Sequence, residues 1–410
     1  MRTVEEHLDA VLAATRPLDT VVVPIERSGG RTLAAPLLAA VSIPVFDNSA
    51  MDGFAVRRAD VETASETSPV RLRVVADIPA GSGLDPALAP GDAARIMTGA
   101  PVPSGADAIV PVEDTAEGFG RGAQAREITI LRAPRVAAHI RRRGEDATAG
   151  AELLPAGEPM GPLQIAAAAA AGVASLAVTR APRVSIVSTG SELVPPGSAL
   201  ERGQIPESNS LLLAALALEA GAEVVSRETV PDEPAALRRA IERASERAAD
   251  AVIMTGGVSE GAYEPVRQAL GGRMAFGKVA MQPGKPQGFG TTADGMLLFG
   301  FPGNPVSAAV SFECFARPAL LAMQGRRVTE RPRIRIPAAV AWRSPRARRQ
   351  YLPAAIDRGD PARWTVRPAT AGGSGSHLAG GLARAAAYAV VPAEVDEVAP
   401  GDPVDVMLIA

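Results

Sequence analysis

The sequence predicts a multidomain fold in which an α/β domain is flanked by β-rich ones, and three observations carry that expectation. Residues 180–322 alternate apolar strand-like runs with helical ones, the pattern of a parallel sheet covered by helices on both faces. Between residues 42 and 139 the chain breaks into short β-prone runs separated by Gly, Pro and Asp, and from residue 328 that texture returns. With 410 residues, 47% of them hydrophobic, there is material for about two to four separate cores.

Taken in chain order, Thr3 and Glu6 form a capping-box pattern, and Val4, Leu8, Val11 and Leu12 follow at helical spacing, so a first helix is expected to stop before Pro17. A second short helix is expected after Gly29 and Gly30. VRLRVVADI, ARIMTG, DAIVPVE and EITILRA then predict the strands of a β-rich domain over 44–140. RRRGED (141–146) marks the exit from it. An Ala-rich helix over 162–171, stopped by Gly172, is expected to rejoin the N-terminal helices, across 1–43 and 141–179. Within 180–327 the expected order is strand RVSIVSTG, helix 209–220, strand AEVVSRETV, helix 234–248, strand DAVIMTGG, a short helix near 264–270, strand GMLLFGF and a helix from Asn304 to about Met323. Pro234 and Pro305 fall in first turns, where a missing N–H costs nothing. Over 328–410, PRIRIPAAV, AYAVVPAEV and PVDVMLI around a Gly/Ser-rich turn at 372–376 predict a small β-barrel or sandwich.

Composition narrows the function. A net charge of -3 and a pI near 5.8 argue against a general nucleic-acid binder, so an anionic ligand has to be held by local charges. Cys314 is the only cysteine, which excludes a disulfide framework and a Cys-rich metal site and fits a reducing cytoplasm. The N-terminal MRTVEEHLDAVLA carries acids where a secretory signal would carry bases. The weakly polar run 163–178 is short, Ala-dominated and interrupted by Gly172, so no membrane span is expected. His7, His139 and His377 lie far apart without ligand-like spacing and read as structural or exposed.

Among the 42 basic residues only Lys278 and Lys285 are lysines, and both lie in FGKVAMQPGKPQ (276–287). A compact ammonium suits a small oxyanion in a tight loop better than a planar guanidinium does; a solvated loop is the plainer alternative. Ligands of open α/β sheets collect outside the carboxyl ends of the strands. Three expected strands end there in donor-rich loops: Ser188-Thr189-Gly190, Thr255-Gly256-Gly257 and Pro302-Gly303-Asn304. The last opens into a helix followed by Ser307, an arrangement suited to phosphate or another oxyanion. One Gly-rich turn is commonly just a turn, but three at one sheet edge point to a ligand crevice. The lysine stretch, between the last two of these strands, reaches the same crevice. Glu192, Asp232 and Glu264 converge there as well, and carboxylates beside a bound phosphate act through Mg²⁺ because direct contact is repulsive. Asp232 reads equally as a helix N-cap, and Glu192 and Glu264 equally as solvated acids. FDNSAMDGF (46–54), RIMTGAPVP (95–103) and HIRRRGED (139–146) read as polar turns and a charged loop.

Together, PVFDNSAMDGFAV, RIMTGAPVP, IRRRGED, VSTGSEL, MTGGVSEG, GKVAMQPGKP and FPGNPVSA, in this order across nearly the whole chain, resemble the molybdopterin molybdenumtransferase (MoeA) family, which includes the E domain of gephyrin. The resemblance implies a cytoplasmic homodimer of four-domain subunits: a discontinuous linker domain, an inserted β-rich domain, a MogA-like three-layer α/β molybdopterin-binding domain and a C-terminal β-barrel. It implies that adenylylated molybdopterin and molybdate are the substrates, that Mg²⁺ or a similar divalent cation is the cofactor, and that AMP leaves as molybdenum joins the dithiolene. The inserted domain of one subunit would face the α/β crevice of the other. Contacts with the adenylylating enzyme and with molybdoenzyme chaperones are implied too, and neither nucleic acid nor membrane is a partner.

Carried over position by position, Asp52 and Thr98 match residues on the inserted-domain side of the cleft, and Glu192, Asp232 and Glu264 match acids around pterin and metal. Lys278 and Lys285 match lysines near the phosphate and oxyanion, Ser307 a molybdate-contacting serine, and Ser376 another oxyanion ligand; Ser259 belongs to the pterin-side motif MTGGVSEG. The chain departs from many relatives in having Ser191 and Gln282 where Asp and Lys are common, Glu264 for Asp, and Pro353 near an often-basic position. One acid and one cation fewer leave the charge balance roughly intact. A non-catalytic scaffold or carrier of molybdopterin with the same fold is the competing expectation.

Overall fold

The computed structural model describes residues 1–118, 126–258, 265–370, 375 and 377–409. The first helix, Val4–Ala14, starts at the expected capping box: Glu6 N–H donates to Thr3 Oγ1 at 3.1 Å and Thr3 N–H to Glu6 Oε2 at 2.9 Å. Its apolar side packs on the α/β core, where Val4 and Val11 join Phe312 and Phe315, and His7 stacks edge-on against Phe315. No helix forms after Gly30, contrary to the sequence expectation. Pro36 removes a helical hydrogen bond there, and the segment is drawn out instead, with Leu33 and Leu37 buried beside Leu176 and Val178. The two halves of the discontinuous unit join through antiparallel pairing of Thr20–Pro24 with Ser175–Thr179 and of Leu37–Leu38 with Glu152–Leu154. The Ala-rich helix is present as Pro162–Ala170.

Between these halves lies a five-stranded sheet in the order Ala108–Pro111, Gly53–Val56, Asp92–Ile96, Val70–Ile78, Glu127–Ile130. Alternation along the strands buries both faces: Phe54, Val110 and Ile128 on one, Ala55, Ile78 and Ile109 on the other.

The α/β sheet has six strands. Glu223–Val230, Arg183–Thr189, Ala251–Thr255 and Leu297–Phe301 are parallel neighbours, and Ala251–Thr255 and Leu297–Phe301 are buried throughout because helices cover both faces. The other two, Pro286–Thr291 and Met274–Lys278, are antiparallel, so the sheet is mixed rather than wholly parallel. The short segment 279–285 joining them is too brief for the crossover that a parallel pair needs. Helix Pro305–Met323 forms the spine of this domain and turns through a π-helical stretch, Phe312–Ala316. By length and composition it resembles a membrane span, but 89% of its apolar window is buried in the protein.

The last strands, Arg333–Pro337, Arg349–Asp357, Thr365–Pro368, Ala387–Val391 and Pro403–Leu408, pair into one sheet whose edges meet through an Ala338–Val366 bridge, closing a small barrel around Leu352, Val391 and Val406. Two features tie it to the α/β domain. Arg331 grips the buried carboxylate of Glu313 at 2.9 and 3.0 Å and reaches Glu219 at 2.6 Å. In addition, Met281–Gln282, from the lysine stretch, pairs in parallel with Arg349–Gln350 as an extra strand on the barrel sheet.

Candidate active site

The carboxyl ends of the parallel strands open into a cavity of about 660 Å³. All three donor-rich loops reach it: Thr189 from the first, Thr255, Gly256 and Gly257 from the second, Pro302, Gly303 and Asn304 from the third. Ser307 lines it from the first turn of the spine helix. Gly256 permits the closest approach of two loops. Its φ is +88°, and a Cβ there would stand 2.5 Å from the Thr189 carbonyl oxygen, so no other residue fits without separating the strand ends.

Glu192, Asp232 and Lys285 also line the cavity. Asp232 does not cap the helix that follows: Glu233 holds the N-cap position, and Asp232 Oδ2 accepts from Ser191 N–H at 3.3 Å, linking two strand ends. Ser188 is buried just beneath the floor, with its hydroxyl donating to Glu207 Oε1 at 2.8 Å, while Gly190 N–H donates to Val230 O at 3.3 Å. Neither these two residues nor Lys278 lines the cavity; Lys278 ends the hairpin strand opposite Pro286. Asp52 and Thr98 sit together on the inserted domain, and neither lines the cavity of their own chain. Asp52 Oδ1 accepts from Thr98 N–H at 2.7 Å and from Thr98 Oγ1 at 2.8 Å, which holds its carboxyl below the usual range. Ser259, Glu264 and Ser376 lie outside the described residues.

Glu207, Asn209 and Arg348 line the cavity and escaped the sequence analysis as site members. Glu207 is 5% exposed and, one residue before the N-cap Ser208, accepts from Ser210 N–H at 2.8 Å, which satisfies a free donor in the first turn of helix Asn209–Glu219. Asn209 Nδ2 donates to Gly303 O at 2.6 Å, while Asn209 Oδ1 and Thr189 Oγ1 are buried without partners among the described residues, in two residues that line the cavity. Buried polar atoms left open at a cavity wall mark places for ligand hydrogen bonds. Gln282 and Arg348 also line the cavity, with Arg348 Nη1 donating to Gln282 Oε1 at 2.7 Å. No motif announced Arg348, which arrives from the barrel.

Among the described residues, no group of three or more His, Cys, Asp or Glu could hold a metal ion. Glu192 and Asp232 nonetheless fit Mg²⁺, which is commonly bound through one or two carboxylates together with substrate phosphates. Two cations, two carboxylates and two unpartnered polar atoms around one crevice can seat a polar ring, hold a phosphate and place a second oxyanion beside it.

Fold and site thus define a multidomain α/β-plus-β protein that binds an anionic ligand at the edge of its α/β sheet. Three family models cover most of the chain: the MoeA N-terminal region (domain I and II) over residues 2–172, a probable molybdopterin binding domain over 185–322, and the MoeA C-terminal region (domain IV) over 335–409. Molybdopterin molybdenumtransferase 2 of Mycobacterium tuberculosis is 43% identical over 98% of both chains, and molybdopterin molybdenumtransferase 1 of the same organism is 34% identical over 100% of this chain and 99% of its own. A crystal structure of the molybdopterin biosynthesis MoeA protein from Pyrococcus horikoshii, 31% identical, superposes with a TM-score of 0.82 over 99% of this chain and 98% of its own. The chain belongs to the molybdopterin molybdenumtransferase (MoeA) family.

Proposed function

We propose that this protein inserts molybdenum into molybdopterin, taking the adenylylated pterin and molybdate as substrates and releasing AMP. The observation that carries this is the cavity itself, which gathers Lys285, Arg348, Glu192 and Asp232 in one lining at the sheet edge of a MoeA-family chain. Thr189 Oγ1 and Asn209 Oδ1 bind the pterin, and the Asn304 turn, Ser307 and the two cations bind phosphate and molybdate. Glu192 and Asp232 would hold Mg²⁺, which would supply neutralisation of charge on the phosphoanhydride. Lys285 and Arg348 orient the anhydride and the oxyanion side by side and stabilise the charge on the departing phosphate, with no covalent protein intermediate.

Asp52 and Thr98 complete the site from the second subunit of a homodimer; their absence from the cavity lining of their own chain supports that arrangement. The chain divides into 1–43 with 141–179, 44–140, 180–327 and 328–410, a division supported by the separate clusters around Leu33 and Val178, Phe54 and Val110, and Leu352 and Val406, and it acts in the cytoplasm. A non-catalytic carrier is disfavoured because the cation missing at Gln282 is replaced by Arg348. Incubation with adenylylated molybdopterin, molybdate and Mg²⁺ is expected to release AMP and yield active cofactor. Tight pterin binding with no AMP release would identify a carrier instead, and sedimentation as a monomer would refute the shared site.

A further inference from the structure

We propose that Gln282 is a positioning residue whose task is to aim Arg348 into the cavity, so that the grip on the oxyanion is built jointly by the α/β domain and the barrel. This rests on the function proposed above and concerns how one of its cations is held.

Gln282 is anchored before it is used. Met281 beside it is fully buried, and the pair Met281–Gln282 is registered against Arg349–Gln350, with Arg349 N–H donating to Ala280 O at 2.9 Å. That register brings Arg348, one residue before the barrel strand, alongside the Gln282 side chain. Arg349 is committed elsewhere, to Glu5 on the first helix. Arg348 thereby turns inward, and its Nη1 donates to Gln282 Oε1 at 2.7 Å while both residues line the cavity. A guanidinium has no acceptor, so this bond fixes which end of the Gln282 amide faces Arg348. Glutamine is neutral and leaves the positive charge of Arg348 whole. A lysine at 282 would put a second cation against it, whereas a carboxylate would cancel it. Glutamine is the side chain that holds this arginine and preserves its charge.

The test measures the KM for molybdate and the kcat of AMP release, together with calorimetric titration of molybdate alone and the thermal unfolding midpoint. The proteins are the wild type, Gln282→Ala, Gln282→Glu, Arg348→Ala and the double alanine variant. Loss of one charge-assisted bond predicts roughly a tenfold rise in KM and Kd for molybdate in Gln282→Ala, with kcat falling no further than it does in Arg348→Ala and the unfolding midpoint kept. In the Arg348→Ala background, Gln282→Ala is expected to add nothing further, because its target is gone. Gln282→Glu keeps the bond and the unfolding midpoint yet raises KM as far as Arg348→Ala does. Three results overturn the proposal: independent, multiplying effects in the double variant, an unchanged KM in Gln282→Ala, or a fall in midpoint and kcat together that marks Gln282 as merely structural. A wild type that neither releases AMP nor binds molybdate refutes the proposed function first, and this inference falls with it.

Discussion

Replacing Gly256 with alanine tests whether the crevice depends on two loops touching. The substitution carries two costs. At φ +88° an L-residue sits in a region that disfavours it by about 1–2 kcal/mol. The new Cβ would also lie 2.5 Å from the Thr189 carbonyl oxygen and 2.7 Å from its hydroxyl, under the 3.0 Å that real Cβ contacts respect. The ends of strands Arg183–Thr189 and Ala251–Thr255 must therefore part by about 0.5 Å, a displacement on the scale that misplaces bound reactants. Together these predict a loss of roughly 2–4 kcal/mol in unfolding free energy, read as a lower urea midpoint by circular dichroism. They also predict a tenfold or larger fall in affinity for the pterin nucleotide, since Thr189 moves with its carbonyl. Gly303→Ala is the control for stability. It lines the same cavity, but its nearest approach is an ordinary 3.6 Å to the Gly256 Cα, and it is expected to unfold within about 1 kcal/mol of wild type. Equal midpoints for the two variants would refute the contact as the reason for glycine at 256.

Lys285→Arg is expected to cut kcat/KM tenfold or more, far beyond Lys278→Arg, because only Lys285 lines the cavity; full activity in the Lys285 variant would remove the oxyanion role. Glu313→Ala takes from Arg331, whose side chain is 11% exposed, its buried partner and leaves it only the half-exposed Glu219, and should destabilise the seam between α/β domain and barrel by about 1–3 kcal/mol in denaturant titrations. Burial, with Arg2 nearby, pushes the His7 imidazole down to about 4, so His7 is neutral in the fold and charged in the unfolded chain below its ordinary 6.5. The stability this lends is whole above pH 6.5 and is lost as pH falls through 4, on the order of 3 kcal/mol; His7→Leu should flatten that part of the pH profile of unfolding, and an unaltered profile would show the ring is not responsible.

The parallel part of the sheet, its helices and the donor-rich strand ends were legible because apolar runs, Pro at first turns and Gly at stops all agree there. Thr189, Gly256 and Asn304 could be placed at one edge from strand order alone. The hairpin of Met274–Lys278 and Pro286–Thr291 was not legible: its strands are rich in Gly, Lys and Pro and carry no alternation, and pairing with a neighbour decides their form. The helix expected after Gly30 failed for the reverse reason, since local signals were overridden by burial of Leu33 and Leu37 against a distant strand. Gln282 and Arg348 are 66 residues apart in different domains, and no local spacing encodes such a meeting.

The small strand Met281–Gln282 has a consequence for how this protein can be divided. It belongs by sequence to the α/β domain and by hydrogen bonding to the barrel. A fragment cut near residue 327 would keep Lys285 yet leave the backbone beside it with a bare edge, no longer stitched to Arg349 and Gln350. The barrel is thus part of the wall of the site, and an α/β module working alone would have to shape this turn by other means.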